Sequence, residues 1–232
     1  KEKNVENTTE CMPLIGDFAP EFTANSTNGK LNFPTDFTGK WIVFFSHPAD
    51  FTPVCTTEFV AFQNNMSGFA QMNTVLVGLS VGSLTSHLGW LDAIAKMPNG
   101  VNIEFPVIDD VTGQIARKYG MIHDTESDTH AVRAVFIIDT VGVIRAILYY
   151  PAVLGRNIQE IMRMLMGLQT ADAFKVAMPA NWIPGDNVLI PAPQTAKSMQ
   201  NHSGEQPWFL MHKPLSQQEI YDKICKDANK TK

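Results

Sequence analysis

The amino-acid sequence has 232 residues, of which 44% are hydrophobic and 18% are charged, so it can bury a large core and does not have the composition of a disordered chain. Its 23 Asp and Glu residues outnumber its 18 Lys and Arg residues, and the net charge of -5 argues against nucleic-acid or anionic-membrane partners. No apolar run approaches the roughly 20 residues that cross a bilayer. Its three cysteines are too few for a disulfide framework and predict a reducing, cytoplasmic location.

The first half of the chain alternates strand and helix patterns. Residues 1–12 are polar and without periodicity, which predicts a flexible N-terminal extension. A hairpin is then expected around Asn28-Gly29, followed by a buried strand at residues 41–45. Two helices are predicted from apolar residues at helical spacing: Phe59, Phe62, Met66 and Phe69 in the first, and Leu84, Leu88, Leu91 and Ala95 in the second. A strand at residues 74–80 separates them.

The alternation continues with a strand at residues 105–108 and a short helix at residues 113–119, closed by Gly120. Two strand patterns, residues 131–139 and 143–150, are close enough to form an antiparallel hairpin. An amphipathic helix follows, with Ile158, Ile161, Met162, Leu165 and Leu168 on one face. This order predicts an α/β domain over residues 13–170, with a mixed central sheet flanked by helices.

The composition changes after residue 170. Five Pro and Gly residues fall within residues 179–193, and periodicity returns only in a last helix that begins with the capping-box pattern Ser216-Gln217-Gln218-Glu219. Residues 171–232 contain too few apolar side chains to fold alone. We therefore expect a C-terminal arm or small domain that packs on the first domain or on a second subunit.

The segment from Ser46 to Glu58 carries the most chemical information. Thr52 followed by Pro53 is a helix start, which places Cys55 at the third helical position, inside the first turn. Unpaired backbone N–H groups and the positive end of the helix dipole favour the thiolate there, so Cys55 is a candidate nucleophile. The alternative is that a lone cysteine is a small buried hydrophobic residue.

The motif Pro48-x-x-x-Thr52-x-x-Cys55 resembles the active-site signature of the peroxiredoxins, and residues 47–58 resemble their one-Cys, peroxiredoxin-six-like subgroup. The similarity continues through Val77-Gly78-Leu79-Ser80, residues 130–136 and residues 180–186, and spans about residues 13–193. The resemblance implies a thioredoxin-like fold, antioxidant peroxidase activity toward hydrogen peroxide and organic hydroperoxides, and a homodimer or a higher ring of dimers.

The resemblance also implies roles for individual residues. Cys55 is the peroxidatic cysteine, and Thr52, Pro48 and Arg133 surround its sulfur. Glu58 and Arg156 match supporting positions. His47 adjoins the loop, where it can bind peroxide or can be a polar residue whose hydrogen bonds are made within the protein. A guanidinium and a hydroxyl suit this reaction because negative charge grows on the leaving oxygen as the O–O bond breaks. Without the motif, a structural ion pair would explain Arg133 equally well.

The implied cycle needs no bound cofactor, because an external thiol reduces the oxidised cysteine. The histidines show neither H-x-x-x-H nor C-x-x-C spacing, so no metal site is expected. No resolving cysteine occupies a position known from related subgroups, since the aligned position in the C-terminal arm is Leu210. Cys225 is expected to pack on the face of the last helix, and Cys11 lies in the polar extension. A one-Cys cycle is therefore predicted.

Two other functions compete with this interpretation. Gly78-x-Ser80-x-Gly82 matches the nucleophile elbow of α/β-hydrolases, with Asp139 and His202 as later triad candidates. Nothing in the sequence brings those two residues together, and five-residue patterns recur by chance. The other is an oligomeric holdase that binds unfolded proteins, which the sequence neither requires nor excludes. A thioredoxin-type oxidoreductase is disfavoured because there is no C-x-x-C.

Overall fold

The computed structural model describes residues 12–195 and 206–228, which form two compact units. The first unit combines the chain up to Ser67 with residues 74–156, and the second combines residues 68–73 with the chain from Asn157 onward. Residues 158–174, which form one helix, thus belong to the second unit, whereas the sequence grouped residues 157–170 with the first domain. The predicted domain of residues 13–170 and arm of residues 171–232 stay a prediction. Among the described residues, no helix is long and apolar enough to cross a bilayer.

A seven-stranded sheet organises the first unit, in the order β2-β1-β5-β4-β3-β6-β7. The sheet is mixed, as predicted, because β3 pairs parallel to β4 on one side and antiparallel to β6 on the other. Its strands are β1 (Phe22–Ser26), β2 (Gly29–Phe33), β3 (Trp41–Ser46), β4 (Thr74–Ser80), β5 (Val107–Asp109), β6 (Arg133–Ile138) and β7 (Ile144–Tyr150). Both predicted hairpins are confirmed.

Helices cover the sheet on both faces of β3, whose six residues are all buried. Side chains alternate between the faces of a strand, so Phe45 stacks on Phe62 with ring centroids 4.3 Å apart, while Phe44 meets Tyr119 at 5.0 Å. Phe62 belongs to the helix of residues 53–64, and Tyr119 directly follows the helix of residues 114–118. The helices of this part of the chain are α1 (Pro53–Asn64), α2 (Met66–Gln71), α3 (Leu84–Ala95) and α4 (Gln114–Lys118). Burial against two layers explains why β3 is continuously apolar.

Two helix predictions need correction. The apolar series from Phe59 to Phe69 is not one helix, because the chain leaves helical geometry at Asn65 and restarts as α2. On α3 the predicted apolar face was wrong: Leu88 is 49% exposed, and the buried residues are His87, Trp90 and Ile94. The buried face of α3 is thus the one that carries His87, whose Nδ1 lies 2.7 Å from Asp50 Oδ2.

The second unit contains α5 (Ile158–Phe174), the two-stranded sheet of β8 (Val188–Ile190) with β9 (Met211–Lys213), and α6 (Gln217–Ala228). The predicted capping box at the start of α6 is confirmed, because the Ser216 amide donates to Glu219 Oε2 and the Glu219 amide donates to Ser216 Oγ. Ile220 and Ile224 of α6 are buried, as the predicted apolar face requires.

Candidate active site

The loop between β3 and α1 begins where the buried strand ends. Within this loop of residues 47–52, the Thr52 hydroxyl donates a hydrogen bond of 2.8 Å to the Ala49 carbonyl, which links the two ends of a tight turn. Helix α1 begins at Pro53, as the sequence predicts, and Cys55 is in its first turn. The Thr52 side chain accepts no hydrogen bond from the first turn, so it does not cap the helix.

Arg133, the first residue of β6, brings its guanidinium to the Cys55 sulfur. Its Nη1 lies 3.2 Å from Cys55 Sγ, and the Cys55 side chain is fully buried. The same guanidinium donates twice to the Ala152 carbonyl, from Nε at 3.1 Å and from Nη2 at 2.6 Å. Since these bonds fix the plane of the guanidinium, the Nη1 N–H groups have a set direction toward the sulfur.

Glu58 lies one helical turn after Cys55 and accepts hydrogen bonds from two arginines. Arg133 Nη1 donates to Glu58 Oε2 at 2.7 Å, and Arg156 donates from its backbone N–H, Nε and Nη2 at 2.7–2.8 Å. Arg156 Nη1 also donates to the Ser46 and Ala134 carbonyls, which ties the cluster to the ends of β3 and β6. Burial alone would raise the pKa of Glu58, but the charge and hydrogen bonds of Arg156, with the charge of Arg133, outweigh burial and lower it.

This arginine cluster, made of Cys55, Glu58, Arg133 and Arg156, carries unbalanced charge when the cysteine is a thiol. Two guanidiniums and one carboxylate leave a net charge of about +1 in a buried site. The sulfur atom of Cys55 therefore faces a positively charged group, with Arg133 Nη1 at 3.2 Å.

His47 belongs to a second buried group, which the sequence did not predict. His47 Nε2 lies 2.9 Å from Asp50 Oδ1, and His87 Nδ1 of α3 lies 2.7 Å from Asp50 Oδ2. The Ser86 hydroxyl donates to Oδ2 at 2.6 Å. Burial would raise the pKa of Asp50, but the hydrogen bonds from His47, His87 and Ser86 lower it overall. The pKa of His47 is lowered, chiefly by burial.

Comparisons with known proteins identify the family of the chain. Residues 15–147 match the AhpC/TSA family, and residues 167–203 match the C-terminal domain of 1-Cys peroxiredoxin. A peroxiredoxin of Methanosarcina mazei is 49% identical over 218 residues, covering 89% of this chain and all of that protein. The peroxiredoxin 2 of Caldanaerobacter subterraneus subsp. tengcongensis is 51% identical over 211 residues, covering 88% and 95%. The chain belongs to the peroxiredoxins.

Solved structures agree with the subgroup that the sequence resembles. A yeast mitochondrial 1-Cys peroxiredoxin is 38% identical with a TM-score of 0.78, covering 88% of this chain and 100% of that one. A Cys-to-Ser mutant of the peroxiredoxin 6 of Arenicola marina is 33% identical with a TM-score of 0.77, covering 87% and 98%. The fold is thus the thioredoxin-like fold of 1-Cys peroxiredoxins, and the chain is a thiol-dependent peroxidase.

The hydrolase alternative is not favoured for this peroxiredoxin. Ser80 ends β4 and is 1% exposed, whereas a nucleophile elbow presents its serine at the top of the sheet. Of its later partners, Asp139 accepts from Arg145, and His202 lies outside the described residues. The holdase alternative is not favoured either.

Of the two remaining cysteines of the peroxiredoxin, the structure describes Cys225. Cys225 is a partly exposed thiol of α6, and its pKa is raised by burial and by the charge of Asp222. Cys11 lies outside the described residues.

The structure brings the sequence-predicted residues Cys55, Glu58, Arg133 and Arg156 into one cluster, and places His47 in another. Pro48 and Thr52 lie in the loop between His47 and Cys55, both half-buried. Sequence reasoning missed Asp50, Ser86 and His87. A usable signal existed for His87, because a histidine three and seven positions before Trp90 and Ile94 shares their buried face.

Proposed function

We propose that Cys55 is the peroxidatic cysteine of this peroxiredoxin and that its thiolate attacks the peroxide. The observation that carries this proposal is the 3.2 Å approach of Arg133 Nη1 to a fully buried sulfur in the first turn of α1. The unbalanced positive charge of the arginine cluster supports the thiolate. None of these features occurs at Cys225, whose pKa is raised by burial and by Asp222.

The reaction transfers one oxygen to sulfur. The thiolate attacks the nearer oxygen of R–O–O–H, an S–O bond forms, and the O–O bond breaks. The leaving oxygen keeps the electron pair of that bond and takes a proton from water, so the products are a sulfenic acid on Cys55 and ROH. Arg133 stabilises the charge that grows on the leaving oxygen, because Ala152 and Glu58 already hold its guanidinium in place.

The loop residues position the substrate. The only hydroxyl hydrogen of Thr52 is donated to Ala49, so its oxygen can accept a hydrogen bond from the peroxide O–H group. Pro48 has no backbone N–H and stiffens the loop that walls the sulfur from water. His47 binds the peroxide as a hydrogen-bond partner, and Glu58 and Arg156 support Arg133.

Completion of the cycle requires an external thiol and no prosthetic group. The thiol attacks the sulfenic acid sulfur, water leaves, and a second thiol then releases Cys55 from the mixed disulfide. We also propose a homodimer or a higher ring of dimers and, from the sparse cysteine content, a reducing compartment such as the cytoplasm.

The experiment compares Cys55→Ser with Cys225→Ser. Peroxide consumption is followed with a dithiol reductant, and the oxidation of each protein by one equivalent of peroxide is followed by mass spectrometry. We expect Cys55→Ser to abolish both signals and Cys225→Ser to keep both. A Cys55→Ser protein that still consumed peroxide catalytically would overturn the assignment.

A further inference from the structure

Ser46 is the last residue of β3, and its side chain is fully buried. The antiparallel pairing of β3 with β6 ends at Phe45 and Val135, one step before Ser46 would face Ala134. The Ser46 hydroxyl continues the connection: Oγ donates to the Val132 carbonyl at 2.6 Å and accepts from the Ala134 N–H group at 3.1 Å. A serine side chain thus joins the two strands where their backbone pairing ends.

The two backbone groups that this hydroxyl contacts lie on either side of Arg133. Val132 precedes Arg133 in the chain, and Ala134 follows it. The Ala134 N–H group also donates to the Val132 carbonyl at 3.1 Å, which is the hydrogen bond of a γ-turn with Arg133 at its centre. Because the Ser46 hydroxyl bridges the same two groups, it fixes the backbone from which the Arg133 side chain starts.

The far end of the Arg133 side chain is held separately. The Ala152 carbonyl accepts from Nη2, while Nη1 lies 2.7 Å from Glu58 Oε2 and 3.2 Å from Cys55 Sγ. A carboxylate is a stronger hydrogen-bond acceptor than a sulfur atom. A displacement of the Arg133 backbone would therefore lengthen the contact with the sulfur before it broke the bond to Glu58. The position of the guanidinium at the sulfur depends on both ends of the side chain.

We propose that Ser46 is a positioning residue, whose hydroxyl clamps the backbone of Arg133 and so keeps the guanidinium beside the Cys55 sulfur. The Ser46 carbonyl adds a contact with the other arginine of the cluster, because it accepts from Arg156 Nη1 at 2.8 Å. This inference rests on the proposed peroxidase function. It gives Ser46 no contact with the peroxide and no part in proton transfer.

The competing explanation is that the Ser46 hydroxyl only stabilises the end of the sheet. Ser26 of β1 provides a matched control, because it is also buried and its hydroxyl also bridges two backbone groups. Ser26 Oγ donates to the Gly29 carbonyl at 2.7 Å and accepts from the Asn28 N–H group at 3.2 Å. Its hairpin contributes no residue to the arginine cluster. Ser26→Ala therefore removes the same kind of bridge without touching the proposed site.

The first measurement is the second-order rate of Cys55 oxidation by peroxide, followed by stopped flow. We expect Ser46→Ala to lower this rate by about tenfold, because a small displacement of a group that stabilises the transition state has a large effect on rate. Ser26→Ala should stay within about twofold of the unaltered protein. Rates are compared at a temperature at which thermal unfolding shows every variant to be folded. Ser46→Ala keeps the hydrogen bond between Ala134 and Val132, so we expect it to fold.

A second measurement shows whether Ser46 acts through Arg133. Ser46→Ala is added to the Arg133→Lys variant, which lacks the guanidinium. If the hydroxyl acts by placing that guanidinium, the added change should lower the oxidation rate by less than about twofold, because the two substitutions then remove one shared interaction. Amide hydrogen exchange of Ala134, measured by NMR, should be faster in Ser46→Ala because the Ala134 N–H group loses one acceptor.

Either of two results would overturn the inference: equal oxidation rates in Ser46→Ala and Ser26→Ala, or a full tenfold loss when Ser46→Ala is added to Arg133→Lys. Unchanged exchange at Ala134 would contradict the clamp itself. Failure of the peroxidase assignment is a separate result, because it would appear as catalysis that persists in Cys55→Ser, whereas the exchange of the Ala134 amide requires no peroxide.

Discussion

Two buried groups, each built around one carboxylate of the segment after β3, differ in the partners of that carboxylate. Glu58 faces two guanidiniums, so the arginine cluster has a positive surplus. Asp50 faces two imidazoles, and burial lowers the pKa of His47. The comparison shows that the partner, more than the carboxylate, decides the chemistry: the first group presents positive charge to the sulfur, and the second holds a buried histidine ring.

The largest expected effect comes from removing the carboxylate of the arginine cluster. Glu58→Gln leaves two buried guanidiniums without their counter-charge, and we expect a loss of about 3–5 kcal/mol in the free energy of unfolding. Denaturant titration measures it. Glu160→Gln is the control, because Glu160 pairs with Arg163 near the surface and should cost no more than about 1 kcal/mol. Equal losses of unfolding free energy in the two variants would mean that Glu58 does not balance the charge of the two arginines.

The second largest expected effect comes from replacing the planar guanidinium of Arg133. Arg133→Lys keeps the charge, but an ammonium cannot contact Sγ, Glu58 and the Ala152 carbonyl in one plane. We expect the second-order rate of Cys55 oxidation to fall by about 10²-fold, as for removal of an oxyanion donor. Stopped-flow measurement decides it, with Arg145→Lys as the control because Arg145 pairs with Asp139 at the end of the sheet. A rate within a factor of about three of the unaltered protein would remove Arg133 from the chemistry.

Acid should weaken the fold through both groups. In the unfolded chain His47 binds a proton below about pH 6.5, whereas in the folded protein its lowered pKa keeps it unprotonated. The free energy of unfolding therefore begins to decrease as the pH falls through about 6.5. Asp50 and Glu58 have lowered pKa values, so their contribution is complete above about pH 4 and is lost as the pH falls further. Asp110, whose pKa is raised by burial, acts in the opposite direction.

Unfolding free energies measured from pH 8 to pH 3 test this dependence. We expect a decline that begins near neutral pH and steepens below about pH 4. Asp50→Asn should show a flatter decline than Asp92→Asn, because Asp92 is exposed. A flat profile in the unaltered protein would contradict the pKa directions on which the comparison of the two groups rests.

The smallest expected effect belongs to Cys225, which lies in neither group. Cys225→Ser should leave turnover with an external thiol within about twofold, and iodoacetamide should alkylate Cys225 more slowly than Cys55 at neutral pH, because the raised pKa of Cys225 lowers its thiolate fraction. Non-reducing electrophoresis after one equivalent of peroxide provides the second readout. A high-yield disulfide between Cys55 and Cys225 or Cys11 would replace the one-Cys cycle with a two-Cys cycle.

Much of the fold could be predicted because its signals are local. The continuous apolar run of β3 and the Thr52-Pro53 helix start both depend on neighbours in sequence, and the structure places β3 and α1 where they indicate. The apolar face of α3 could not be predicted in this way. The spacing of His87 from Trp90 and Ile94 marks the buried face, but the partner of His87, Asp50, lies 37 positions away and has no trace in hydrophobic periodicity.

The sequence by itself determined the family, the mixed α/β sheet and the position of Cys55 in the first turn of a helix, because these depend on a contiguous motif and on local geometry. Only the tertiary structure decided what surrounds the sulfur. Arg133 lies 78 positions from Cys55, and Arg156 lies 98 positions from Glu58. Arg133 lies at the end of β3 because β6 pairs with β3, and Arg156 lies there because the segment after β7 runs back to that end. Charge balance in a buried site is a property of residues distant in sequence, so it appears only when the sheet is assembled.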